Sequence, residues 1–332
     1  MNSLIVVNSH FCPKTEKFWI KNQSEIENQF RHHTTIHPKS KNYKNQIDID
    51  EFDVIILIGD DTFFSCFVNS IFYDLSDKKK IKHIAFIPDR HNTAIASGLG
   101  LPSQLSKQLE LISRKPSILL DLVRCHYMDK RGIPRSHFVL NDVLIGISPS
   151  KIPLVIKTLA ELVKSSPLLS TFNNSKEIQV INEGAIVYSG NYIFSAVLLG
   201  NKITNGPKIP TKAKIRTNLT CFEYYQLNSR RFSSFKAPFK RLFQDSAGNE
   251  MGYIFSGSYN ELIIKGEGFE NTIIADGVHL GRMPTTFSFL PKALRVIAPL
   301  LTVRVSQPWK SKVSASTVPR PIGSRSSLSR DT

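Results

Sequence analysis

The side chains best suited to chemistry lie at two corners of the 332-residue chain, one Gly-Asp and one Asp-Gly. Gly59-Asp60-Asp61-Thr62 follows an apolar run, Val54–Ile58, and precedes Phe63, Phe64, Phe67, Val68, Ile71 and Phe72. Asp276-Gly277 ends a second apolar run, Ile273-Ile274-Ala275. Carboxylates at such corners can hold a hard cation through oxygen or accept a proton from a hydroxyl.

The surrounding elements suit the first corner. Val54–Ile58 reads as a buried strand, and the i, i+3, i+4, i+7 spacing after Thr62 predicts a helix packed on a core. Open α/β sheets bind ligands beyond the carboxyl ends of their strands. A helix starting there turns free N–H groups and a partial positive charge toward an anion such as phosphate. Leu4–Val7 predicts a first strand ending at Asn8, and Lys14–Arg31 a helix with Trp19, Ile26 and Phe30 inward. His83–Ile87 predicts another buried strand, and residues 101–112 a one-faced helix. The character then changes. Ile118–Val123 and 137–148 (HFVLNDVLIGIS) read as strands, Pro153–Val163 as a helix, and many short β-type runs follow from about 177.

The expected architecture is therefore an α/β N-terminal domain, an open and mostly parallel sheet with flanking helices, over 1–122. A β-rich, sandwich-like domain follows over 123–305, its chain end free to pack back on the first. Residues 306–332 read as a disordered basic tail.

Hydrophobic content of 41% and charged content of 21% are those of a globular protein. No apolar run reaches the roughly 18–20 residues of a membrane helix. The N-terminus lacks the basic segment of a signal peptide, so the expected location is cytoplasmic, with peripheral membrane contact. The formal charge of +16 favours an anionic partner, a lipid substrate or anionic membrane surface. Lys78-Lys79-Lys80 and Arg230-Arg231 read as ordinary surface charge. No zinc-finger or RNA-binding motif points to nucleic acid. Cys12, Cys66, Cys125 and Cys221 lack metal or redox spacing and read as free thiols. His32, His33 and His37 lack the acidic or cysteine partners of a metal site. Oligomeric state is left open.

The order of these segments resembles the diacylglycerol kinase catalytic domain family, lipid kinases distantly related to the NAD kinases. That family's nucleotide corner is Gly-Gly-Asp-Gly-Thr. Here Ile58 stands at the first Gly, Gly59 and Asp60 match, Asp61 replaces the third Gly, and Thr62 matches. The family's Asn-Pro after the first strand corresponds to Asn8-Ser9. Its Ile-Pro, Gly-Thr-Gly-Asn-Asp, Ala-Arg-x-Leu-Gly-x-Pro segment keeps its frame at Ile87, Pro88, Ala96, Leu99, Gly100 and Pro102. Arg90, His91, Asn92, Thr93 and Ala94 occupy the loop positions. Phe138, Asn141 and Gly146, then Asn201, Gly206, Pro210 and Ala213, match later motifs. Arg216-Thr217-Asn218 stands where an acidic pair holds a structural magnesium in the family. Asp276 and Gly277 match Asp-Gly-Glu, but Val278 takes the Glu position, and Phe287–Val296 fits the closing segment.

The resemblance implies transfer of the ATP γ-phosphoryl to a lipid hydroxyl, with ATP and Mg2+ as cofactors. It implies Asp276 and Asp60 as catalytic residues. Gly59, Asp60, Asp61, Thr62, Asn8, Arg90, Asn92 and Thr93 would bind nucleotide. The substitutions bear on the chemistry. Asp61 adds a carboxylate where phosphates would pass; two like charges at about 4 Å repel by about 4 kcal/mol at an effective dielectric near 20. Magnesium bridging Asp60 and Asp61 would reverse that sign. The family's Glu is the general base, and Val278 cannot accept a proton; losing a base typically costs about 100- to 10,000-fold in rate. Asp276 and His279 are the substitutes in reach. Two rivals stand beside the lipid kinase: an impaired relative acting as a lipid, nucleotide or protein binding module, and an NAD kinase-like enzyme using Asn141-Asp142.

Overall fold

A computed structural model describes residues 2–40, 43, 51–71, 83–90, 93–146, 176–200, 202–204, 221–228, 254–266 and 272–300. Lys78–Lys80, His91, Asn92, the helix expected at 153–163, Asn201, Gly206, Pro210, Ala213, Arg216–Asn218, Arg230-Arg231 and the tail from 306 lie outside the described residues.

The first half alternates strands and helices: β1 (Ser3–Val7), α1 (Pro13–Gln29), β2 (His33–Ile36), β3 (Val54–Gly59), α2 (Asp61–Ile71), β4 (His83–Pro88), α3 (Ala94–Leu99) and α4 (Leu105–Arg114). The strands lie parallel in the order β2-β1-β3-β4. β1, β3 and β4 are largely apolar because both their faces are covered, whereas the edge strand β2, His-Thr-Thr-Ile, is not. Leu4, Val6, Ile55, Leu57, Ile84 and Phe86 face Phe63, Phe64, Phe67 and Val68 of α2. Ile5, Val7, Ile56, Ile58, Ala85 and Ile87 face Trp19 and Ile26 of α1 and Leu109 and Ile112 of α4.

The second half is strands alone: β5 (Ser117–Met128), β6 (Pro134–Val139), β7 (Asp142–Ile145), β8 (Lys176–Asn182), β9 (Ala185–Leu198), β10 (Phe222–Asn228), β11 (Ile254–Tyr259), β12 (Glu261–Gly266), β13 (Thr272–Ala275) and β14 (Val278–Ile297). Strands β9, β7, β13, β14, β12 and β8 pair in a closed antiparallel ring. Val143, Ile145, Ile178, Val180, Leu262, Ile264 and Phe287 share a buried cluster there. Pairing strands this way leaves few open edges.

β14 ties the halves together. It pairs antiparallel with β5 from Arg282↔Met128 to Ile297↔Ser117, and parallel with β4 at Val296↔Ile84. Its Phe287 belongs to the second-half cluster, while Leu294 and Val296 belong to the first. The bulge at Leu290–Leu294 is held by the Lys292 N–H, which donates to Asp121 at 2.8 Å.

Two elements differ from the sequence reading. The helix expected at 101–112 runs over Leu105–Arg114, because Gly100, at φ +64, caps α3, the Leu101 N–H closes that cap on the Ala96 carbonyl, and a residue before proline disfavours helical backbone. Residues 137–148 do not form one strand. β6 ends at Val139 and β7 begins at Asp142, because the N–H groups between them turn to a carboxylate described below.

Gly281 sits where a Cβ would lie 2.0 Å from the Met128 carbonyl oxygen. Gly281→Ala is expected to destabilise the protein by about 2 kcal/mol or more, read as a lowered midpoint in chemical denaturation.

Candidate functional site

The two corners meet. Asp276 and Gly277 both have positive φ, +48 and +81, and join β13 to β14 as a two-residue hairpin of the Asp-Gly kind. The hairpin tip abuts the start of α2. The Thr62 hydroxyl donates to the Asp276 carbonyl at 3.2 Å, and the Ser65 hydroxyl to Asp276 Oδ2 at 3.0 Å. Thr62 and Ser65, which follow Asp60 on α2, therefore contact Asp276.

Asp276 is fully buried. Its Oδ2 also accepts the Leu140 N–H at 2.9 Å. Its Oδ1 accepts the Asn141 N–H at 2.9 Å and the Asp142 N–H at 3.0 Å. Both carboxylate oxygens are thus committed to protein donors. This arrangement breaks the strand expected across 137–148. His279, weighed as a substitute base, is exposed, and Val278 is half-buried at the start of β14.

Beside Asp276 lies a second buried carboxylate. Asp142 Oδ1 accepts from the Thr204 N–H at 2.9 Å, from the Thr204 hydroxyl and from the Asn141 amide. Asn141 also donates to the Lys202 carbonyl at 2.8 Å. The Asn141-Asp142 pair thus points into the protein. Burial raises the pKa of both Asp142 and Asp276, and their mutual repulsion raises that of Asp142 further.

Asp60, a quarter exposed, begins α2 by accepting the Phe63 N–H at 2.8 Å. Its other oxygen lies 3.8 Å from Arg90, which also lies 3.5 Å from Asp89. Asp89 in turn accepts the Thr15 hydroxyl at 2.6 Å. Gly59 is wedged between Asn8 and Phe63; a Cβ there would meet the Phe63 ring at 2.7 Å and the Asn8 Cβ at 3.1 Å.

Asp61 is 4% exposed. Its Oδ2 accepts the Ala94 N–H at 2.7 Å, at the start of α3. Its Oδ1 is enclosed without a hydrogen-bond partner among the described residues. Burial pushes its carboxyl up to about 6, against the pull of the Thr93 hydroxyl and the Ile95 and Ala94 N–H groups. Thr93 itself caps α3, accepting the Ala96 N–H at 3.3 Å. Ala94 and Asp61 are the positions where the resembling family has Asp and Gly.

Sequence reasoning missed three residues at this junction. His137 is buried and neutral, its pKa pushed down to about 3 by desolvation, and its Nε2 sits 3.3 Å from Ser65 and 3.1 Å from Asn69. Asn69 accepts the Phe138 N–H at 2.6 Å and donates to the Phe138 carbonyl at 2.8 Å, binding α2 to β6. Ser65 and Asn69, at i and i+4, form the polar stripe of an otherwise apolar helix; that stripe was the available signal. Elsewhere, His33 lies against the Phe30 carbonyl, and His37 against Ser9. None of the four cysteines forms a disulfide.

Comparison with solved structures decides the fold. A Bacillus anthracis str. Sterne diacylglycerol kinase structure superposes with TM-score 0.62 at 18% identity, over 90% of this chain and 96% of that one. The fold is that of the diacylglycerol kinases. Another structure from the same organism, carrying a provisional diacylglycerol kinase name, gives TM-score 0.66 at 19% identity over 90% and 97%. Yeast NADH kinase complexed with NADH gives 0.53 at 8% identity over 96% and 90%. No family model and no curated protein sequence matches. Among the described residues, no helix is long and apolar enough to cross a membrane.

Two outcomes test this junction. Asp276→Ala removes the acceptor for four donors and is expected to cost about 3 kcal/mol or more; Asp276→Asn, which tolerates the left-handed turn, costs less. Both are read by urea denaturation. The raised carboxyls of Asp61, Asp142 and Asp276 mean that the folded protein keeps protons which the unfolded chain releases near pH 4. Their stabilisation is full below about pH 4 and is lost as pH rises through about 6 and beyond. The thermal midpoint should fall over that window, and Asp142→Asn should flatten the fall.

Proposed function

We propose that this chain is a kinase-fold protein that no longer transfers phosphoryl groups and works as a binding module for an anionic lipid surface. One observation carries the loss of transfer: the carboxylate of Asp61 is sealed into the corner, bonded to the Ala94 N–H. The resemblance implies ATP with magnesium at this place. The residues present do not fit that pair in the family's manner. Asp60 and Asp89 share Arg90, and the buried Asp61 adds a third carboxylate next to Asp60 in the chain. A triphosphate would meet an excess of negative charge rather than an open glycine cradle. Among the described residues, no cluster of three acidic, histidine or cysteine side chains suits a metal ion.

The acceptor side agrees. Val278 offers no base, and Asp276 has both oxygens engaged by protein donors. Asp276 is a positioning residue that joins α2 to β7. Lipid-surface binding rests on the lipid-kinase fold and on the net charge of +16.

A second reading, an active lipid kinase, draws support from Asp60, which keeps an exposed edge beside Arg90. An NAD kinase-like enzyme has less support, since the Asn141-Asp142 side chains are taken up by Thr204 and Lys202.

Calorimetric titration with ATP, with and without magnesium, and transfer assays on diacylglycerol, sphingoid base, phosphatidylglycerol and NAD separate the readings. No transfer to any acceptor is expected, and turnover on any lipid would overturn the proposal. Asp61→Gly should tighten nucleotide binding by about tenfold or more by removing a like charge. Val278→Glu alone should leave turnover absent, since the corner stays closed.

A further inference from the structure

The β5–β6 turn is exposed and ordered by its own side chain. Asp129 fixes it: its Oδ1 accepts the Arg131 N–H at 2.8 Å and the Ile133 N–H at 2.9 Å, and Gly132 supplies the left-handed φ of +78. The ordered turn carries Lys130, Arg131, Ile133, Pro134 and Arg135, all exposed. Arg282 of β14 is added from the neighbouring strand, its guanidinium donating to the Lys130 carbonyl at 2.8 Å. Against these four cations stands Asp129, 3.4 Å from Arg135. Ile133 is 42% exposed at the tip, an aliphatic side chain held in solvent by backbone bonds rather than by packing.

Cations ringing one exposed aliphatic residue match a bilayer, where basic side chains meet anionic head groups and the aliphatic group enters the acyl boundary. Nucleic acid would use the same charges but has no use for Ile133 there, and the tip has no aromatic side chain for base stacking.

We propose that the β5–β6 tip, Lys130, Arg131, Ile133 and Arg135 with Arg282 behind it, docks this protein onto anionic lipid bilayers. The proposal rests on the reading of the chain as a lipid-surface binding module and names the surface that it uses.

The test is co-sedimentation of the full chain with phosphatidylcholine vesicles, with and without phosphatidylserine, at low and high salt. Binding is expected to the anionic vesicles and to weaken with salt. Lys130→Ala and Arg131→Ala should each weaken it about fivefold. Ile133→Ser should weaken it severalfold at both salt concentrations, a change that pure charge screening would not give. All three side chains are exposed, so thermal midpoints should stay at the wild-type value. Anionic binding that survives a Lys130→Glu/Arg131→Glu double variant would overturn the proposal, since the basic tail or another surface would then carry it. Binding of single-stranded oligonucleotide lost in that variant, with no vesicle binding in the wild type, would also overturn it. Phosphoryl transfer is measured separately, so an active enzyme that docks through this tip would sink the silent-kinase reading and leave the tip standing.

Discussion

The fold depends on one carboxylate. Asp276 collects the N–H groups of Leu140, Asn141 and Asp142 and the Ser65 hydroxyl, while its own carbonyl accepts Thr62. Those donors come from the β6–β7 corner and from α2. The acceptor sits on the β13–β14 hairpin. A buried charge is tolerable only when donors surround it, and here the surrounding donors belong to both halves of the chain. The hairpin, the kinase-like corner and the ring of strands are therefore held in register by the same group.

The cost of that solution is electrostatic. Asp61, Asp142 and Asp276 are buried with no ion pair to a described lysine or arginine. Hydrogen bonds solvate them, but repulsion and burial keep their proton affinity high. This junction resolves the strain with backbone N–H groups, hydroxyls and retained protons.

Much of the architecture was legible in the sequence. Strands β1, β3 and β4 are apolar on both faces and bounded by Asn8, Gly59 and Pro88, so their ends were clear. The helical spacing after Thr62 placed α2, and the short runs after 177 gave the β-rich half. The break at Leu140–Asn141 was not legible, because VLNDVLI reads as a continuous strand until a residue 135 positions away claims its N–H groups. The contact between positions 61 and 94 was equally hidden. In the sequence Asp61 is an added charge, and nothing there shows that it accepts the Ala94 N–H at 2.7 Å. Ser65, Asn69 and His137 went unnoticed because each is ordinary in its own segment.

Crystals grown or soaked with magnesium and a non-hydrolysable ATP analogue would address the central claim, a closed corner inside an intact kinase fold, most directly. The account predicts Asp61 still seated on the Ala94 N–H, with no triphosphate between α2 and α3. Density for phosphates at Gly59–Thr62, with Asp61 turned away or bound to magnesium, would contradict it.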